Sequence, residues 1–196
     1  LPITVFSDFV CPYSYVVEST LYELDQDRVE LRFRATDTVP VGAKGTPAPG
    51  DSGETLRALA DEAGVVIRTN PLGARTWKAH EATHFARQVG QEIELRRGIF
   101  DAYLRDGLDI GRIDVLTSLA PAAGIDPIGL KIALDIDRFQ RDVQADIDLA
   151  ARLRITATPT IFLGSGKSAR ILVGALGSEA LRLLVLGTIQ NATANE

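Results

Sequence analysis

Apolar side chains gather in short runs near both ends of the chain and recur at helical spacing through its middle. ITVFSDFV at residues 3–10 is rich in β-branched and aromatic side chains and predicts a strand that stops at Cys11-Pro12. Proline suits the first turn of a helix, where its missing N–H has no intrahelical partner, so Pro12 predicts a helix through YSYVVESTLYELDQD. VELRFRA at 29–35 predicts a second strand, and VPVGAKGTPAPGDSG at 39–53, rich in Gly and Pro, an exposed loop. Helical patterns then follow one another: ETLRALADEAG closed by Gly64, ARTWKAHEATHFARQVG closed by Gly90, EIELRRGIFDAYLRDG, IDVLTSLAPAAG, DPIGLKIALD with Asp126 as cap, and FQRDVQADIDLAARLR. Strand patterns return with TPTIFLG at 158–164 and ARILVGA at 169–175, joined by SGKS as a turn, and Ser178 is placed to cap a last helix, EALRLLVLGTIQNA.

The predicted order is therefore β-α-β, a helical block, then β-β-α. Neither sheet-forming part can bury its apolar face alone, so residues 1–53 and 154–196 should share one sheet, with 54–153 inserted between them. The 196 residues, 45% apolar, are enough for one core carrying such an insertion. A net charge of −5, from 21 basic and 26 acidic residues with no basic block, gives little of the field that holds phosphate backbones or anionic lipid. No apolar run approaches the roughly 18 residues of a membrane span.

The chain has one cysteine, so no internal disulfide can form, and with no charged and apolar leader at its start the expected compartment is the reducing cytoplasm. Cys11 falls at a strand-to-helix junction, where unpaired N–H groups and the helix dipole favour a thiolate; its pKa is expected below the free value of about 8.5. Ser14 lies one turn along, close enough to offer the sulfur a hydrogen bond but unable to resolve a mixed disulfide as a second thiol would. The alternative is that Cys11 is a small buried hydrophobe.

Asp8, Phe9, Val10, Cys11, Pro12 and Tyr13 form Asp-Phe-x-Cys-Pro-aromatic, which, with Asn70, Ala79-His80, FDAYLRDGLDIG at 100–111 and ARLRITATPTIFL at 151–163, resembles the FrnE-like branch of the DsbA family. The resemblance spans nearly the whole chain and implies an α/β thioredoxin fold with a large helical insertion. It implies that Cys11 and Ser14 form the reactive pair, that Pro12, Tyr13, Thr158 and Pro159 line the substrate site with Pro159 cis, and that Asn70 and His80 border a pocket. Ser14 stands where disulfide-forming members carry a second cysteine. The implied chemistry is then monothiol exchange, in which a mixed disulfide at Cys11 is released by glutathione or another small thiol. No tightly bound cofactor is implied, and the partner is a small thiol or a protein disulfide. Related 2-hydroxychromene-2-carboxylate isomerases and kappa-class glutathione transferases keep Pro-Tyr-Ser with serine at the position of Cys11, so a glutathione-dependent isomerase or transferase is the alternative; a binding module without turnover is a third.

A competing motif is HEATH at 80–84, which matches His-Glu-x-x-His and puts His80 and His84 on one helix face with Glu81 as a possible base. Against a zinc hydrolase stand Lys78 two places upstream, Arg87 where the extended motif has glycine, and the absence of a third histidine, although Glu92 or Glu94 could serve as a ligand. The plainer reading is an amphipathic helix. Trp77, Phe85 and Phe139 read as packing aromatics, and Asp135, Asp137, Asp142, Asp146 and Asp148 as a solvated acidic face. SGKS lacks the upstream glycine of a phosphate loop.

Overall fold

In the computed structural model, which describes residues 1–36, 53–68 and 73–193, the first apolar run becomes β1 (Pro2–Ser7) and Pro12 opens α1 (Pro12–Tyr22). The strand ends three residues before the apolar run does, because residues 8–10 turn away from the sheet and the Cys11 N–H bonds back to the Asp8 carbonyl at 3.1 Å. β2 (Glu30–Ala35) pairs parallel to β1, while β3 (Thr160–Leu163) and β4 (Arg170–Val173) continue antiparallel on its other side, giving the order β2-β1-β3-β4. Strands from the two ends of the chain thus share one sheet. The expected loop at 39–53 lies, except for Gly53, outside the described residues.

Between β2 and β3 run α2 (Glu54–Glu62), α3 (Trp77–Gln88), α4 (Glu92–Phe100), α5 (Ile113–Leu119), α6 (Pro127–Asp135) and α7 (Gln140–Arg152); α8 (Ser178–Thr193) follows β4. Asp126 caps α6 as the sequence indicated, its carboxylate accepting the Ile128 and Gly129 N–H groups at 3.0 Å each. Two expectations change. The pattern at 92–107 is not one α-helix: after Phe100 the chain widens into a π-helical turn, Asp101–Arg105. Ser178 does not cap α8; its hydroxyl pairs with Thr20 Oγ1 at 2.7 Å, and Glu62 Oε1 accepts the Glu179 N–H at 2.8 Å instead. Gly177 permits this approach, since a Cβ there would sit 2.6 Å from Glu62 Oε2.

Two cores result. Ile3, Val5, Phe33, Ile161 and Leu163 of the sheet are sealed by Val17 and Leu21 of α1 and by Leu181 and Val185 of α8. The second core belongs to the helical block, with Leu95, Ile99, Phe100, Leu116 and Leu130, yet it also takes in Phe9, Val10 and Tyr15. The segment that carries Cys11 therefore joins the two cores.

The acidic series is not uniformly solvated. Asp146 is 1% exposed, and its carboxylate takes Arg34 Nη1 at 2.7 Å, the Ala35 N–H at 3.2 Å and His84 Nε2 at 3.1 Å, tying α7 to β2 and α3. Its spacing from buried Val143 and Ala150 places it on the inward stripe of α7. Burial alone would raise its pKa, but the bonds from His84, Arg34 and the Ala35 N–H outweigh that and lower it. A lowered carboxyl contributes stability that is present above its unfolded pKa and is lost as pH falls through the folded value. Asp146→Asn is accordingly expected to cost about 2 kcal/mol at pH 7, and the difference from the parent should shrink below about pH 3 in urea titrations at stepped pH.

Candidate active site

Register brings the site together. Phe6 of β1 pairs with Thr160 of β3, so the end of β1 lies beside residues 158–159 and the turn that follows it comes to rest against them. The Thr158–Pro159 peptide is cis. Thr160 Oγ1 bonds back to the Ala157 carbonyl at 2.7 Å and the Pro159 carbonyl accepts the Gly174 N–H at 2.8 Å, which holds this loop in place. Cys11 is the N-cap of α1, partly exposed, and its Sγ donates to the Thr158 carbonyl at 3.3 Å. The Ser14 N–H bonds the Cys11 carbonyl at 3.0 Å. Ser14 Oγ is fully buried and makes no hydrogen bond of good geometry, so its pull on the sulfur is weak.

The ionisation differs from that expected of a helix-start cysteine. Burial pushes the Cys11 thiol above its ordinary value; hydrogen bonding from Thr158 and Ser14 opposes this without cancelling it, and the Asp8 charge adds to the rise. Among the described residues the contributions to the ionisation of the sulfur come from burial, Thr158, Ser14 and Asp8. The helix terminus is thus outweighed by loss of solvent and a nearby carboxylate.

Pro12 and Tyr13 sit half-buried beside the thiol, Thr158 is half-buried and Pro159 buried. His80 is 3% exposed and packs tilted against Phe9 with ring centroids 4.9 Å apart, its Nε2 3.6 Å from Asp8 Oδ1. Asn70 lies outside the described residues. Along the α1 face that starts at Cys11, Tyr15 and Ser19 follow at four-residue intervals and line a cavity of about 280 Å³ with Glu23, Arg97, Asp101 and Arg105. Tyr15 stacks on Phe100 and donates its hydroxyl to Asp101 Oδ1, which the π-helical turn presents; burial, then that bond, raises the Tyr15 pKa well above the ordinary phenol range.

Beneath the site lies a buried ionic network that the sequence reading did not identify. Arg96 donates to Glu18 through Nε at 2.7 Å and Nη2 at 2.6 Å, and to Ser7 Oγ at 2.9 Å; Tyr22 Oη donates to Glu18 at 2.5 Å. The guanidinium lies between the Phe9 and Phe33 rings, 4.8 and 4.5 Å from their centroids. Burial works against its charge, but Glu18 outweighs burial and raises its pKa. The available signal was a charged residue inside an apolar stripe on each helix: Arg96 beside Leu95 and Ile99, Glu18 beside Val17 and Leu21.

The two histidines of HEATH face different partners, His80 toward Asp8 and His84 toward Asp146, and Glu81 is fully buried in an ion pair with Lys78 at 2.8 Å. Among the described residues no group of three or more His, Cys, Asp or Glu is disposed to hold a metal ion, and no helix is long and apolar enough to cross a membrane.

A family model described as a DSBA-like thioredoxin domain matches residues 2–185. An uncharacterized protein of Bacillus subtilis strain 168, YwbO, is 28% identical over 188 residues, 90% of this chain and 92% of that one. A probable DsbA oxidoreductase from Streptomyces coelicolor superposes with a TM-score of 0.74 at 24% identity, over 95% of this chain and 89% of its own. A 2-hydroxychromene-2-carboxylate isomerase superposes with a TM-score of 0.77 at 18% identity, over 100% of this chain and 98% of its own.

Proposed function

The chain belongs to the DSBA-like thioredoxin domain family, and from that premise we propose that it is a monothiol thiol-disulfide oxidoreductase that works in the reducing direction. The Cys11 thiolate attacks one sulfur of a disulfide R–S–S–R′, forming Cys11–S–S–R and expelling R′–S⁻, which takes up the proton that Cys11 gave to solvent. A small thiol such as glutathione then attacks as its thiolate, freeing Cys11 and leaving with R as a new disulfide. With a glutathionylated protein as substrate, the net change is one protein thiol released and one glutathione disulfide formed per external thiol consumed. The proposed setting is the reducing cytoplasm, which supplies that thiol.

The observation that carries this reading is the Cys11 sulfur 3.3 Å from the Thr158 carbonyl, beside Pro159. On this reading the Thr158 backbone pairs with the extended backbone around a substrate cysteine, as an added strand would. The raised thiol supports the direction: a couple whose reduced form gains nothing from ionisation is a poor oxidant.

Reduced protein treated with glutathione disulfide should gain a single glutathione on Cys11 by mass spectrometry, released by excess thiol. The rate should still climb about tenfold per unit near pH 8, because a raised pKa keeps the thiolate a minor species there. No adduct on folded protein would overturn the reading, and a rate already level at pH 7 would overturn its direction. One observation favours a glutathione-dependent isomerase as a second reading: in this geometry Cys11 acts as a hydrogen-bond donor, a task a serine hydroxyl performs equally well.

A further inference from the structure

The turn that holds Cys11 rests on two buried polar groups left unused by the chemistry above. Asp8 is 1% and His80 3% exposed, Asp8 Oδ1 and His80 Nε2 face each other at 3.6 Å, and among the described residues neither atom has a hydrogen-bond partner. Buried polar atoms are seldom left unpaired, and two bare acceptors repel, so a proton belongs between them. Both groups belong to or pack against the turn that carries the nucleophile. The Asp8 carbonyl accepts the Cys11 N–H at 3.1 Å, His80 packs on the intervening Phe9, and the Asp8 charge acts on the Cys11 sulfur.

We propose that Asp8 and His80 form a charge-switching pair that sets how much of Cys11 stands ready as nucleophile, a tuning role that rests on the thiol chemistry inferred above. With one proton between them the pair carries the negative charge of Asp8 and repels a thiolate at Cys11. With a second proton, on the imidazole, the pair is neutral and that repulsion is gone. By linkage, an ionised Cys11 favours the doubly protonated pair by the same factor.

The other groups around the pair do not compete for this role. Tyr103, from the π-helical turn, is pushed up to about 12 by burial and by the Asp8 and Asp109 charges, so it stays neutral. On the helix of His80, Glu81 is held by Lys78 at 2.8 Å and His84 by Asp146 at 3.1 Å. Histidine is also the side-chain type whose charge ordinarily changes between pH 5 and 8.

Alkylation of Cys11 by iodoacetamide from pH 5 to 10 tests the pair without any redox turnover, so its failure is separable from failure of the oxidoreductase reading. The parent curve should be shallower than a one-proton titration. Asp8→Asn should speed alkylation at pH 7 by about three- to tenfold and restore the one-proton shape. His80→Gln, which keeps a donor toward Asp8 but cannot charge, should restore the same shape while slowing the reaction near pH 6. A second arm needs no variant that removes either member: the chain has two histidines, and His84→Gln assigns their ring resonances. The His80 signal of the parent should show a second inflection where Cys11 loses its proton, absent once Cys11 is carboxamidomethylated. A His80 signal that titrates identically before and after blocking would overturn the proposal, as would a folded Asp8→Asn protein alkylating within about twofold of the parent at pH 7.

Discussion

Arg96→Met lowers the folding free energy by about 3–5 kcal/mol, read as a fall in the urea midpoint at unchanged slope. The substitution removes the partner of a carboxylate with no access to water: Glu18 is 0% and Arg96 1% exposed. Taking both charges out of solvent is costly, and the attraction between them offsets that cost only while both are present. Glu18 cannot simply ionise elsewhere, since its other contacts, Ser7 and Tyr22, are neutral donors. Glu18→Leu strands the guanidinium between two aromatic rings and should cost a similar amount. The double variant should recover at least about 1 kcal/mol relative to the sum, because the residual orphans are then only hydroxyls. Full additivity would mean that the two charges do not interact. The effect should also reach function, since Arg96 packs on Phe9, two residues before the nucleophile.

Cys11→Ser abolishes thiol-disulfide exchange, by more than about a thousandfold against a glutathionylated peptide, because a hydroxyl at neutral pH supplies no comparable nucleophile. The same variant separates the two functional readings. An isomerase that needs only a donor toward the glutathione sulfur would keep its glutathione-dependent activity, whereas the oxidoreductase would show none. Ser14→Cys changes the chemistry in the opposite sense. Position 14 lies one turn from the sulfur with its side chain fully buried and, among the described residues, without a hydrogen bond of good geometry, so a thiol there replaces a group with little to lose. An internal disulfide becomes possible, and insulin reduction should rise at least about tenfold, since resolution no longer waits for an external thiol. A folded double-cysteine protein with no gain would mark the cleft as built for something other than disulfides.

How much of this was legible before any coordinates can be traced residue by residue. The order of strands and helices was readable because it is a matter of short-range period and of local stops: Pro12 opens α1, Asp126 caps α6, and β-branched runs mark β1 and β3. The meeting of Cys11 with Thr158 and Pro159 came from motif resemblance, as no local rule links residues 147 apart. Asp146 was misread as solvated although its spacing from Val143 and Ala150 points inward, because an acidic residue outweighs the stripe when no partner is in view. Ser178 looked like a cap because serine commonly is one, while the carboxylate that caps α8 comes from Glu62, 117 residues away from the N–H it accepts.

By itself, then, the sequence determined the alternation of elements, the shared sheet built from its two ends and the lone thiol at the head of a helix. Local backbone preference and hydrophobic period set these, and both are written within a dozen neighbouring residues. Tertiary structure alone decided that burial pushes the Cys11 thiol up, that Arg96 answers Glu18 across 78 positions, and that His80 faces Asp8. Solvent exclusion and Coulomb forces depend on every group within a few ångströms, and those groups come from segments whose proximity no local pattern encodes.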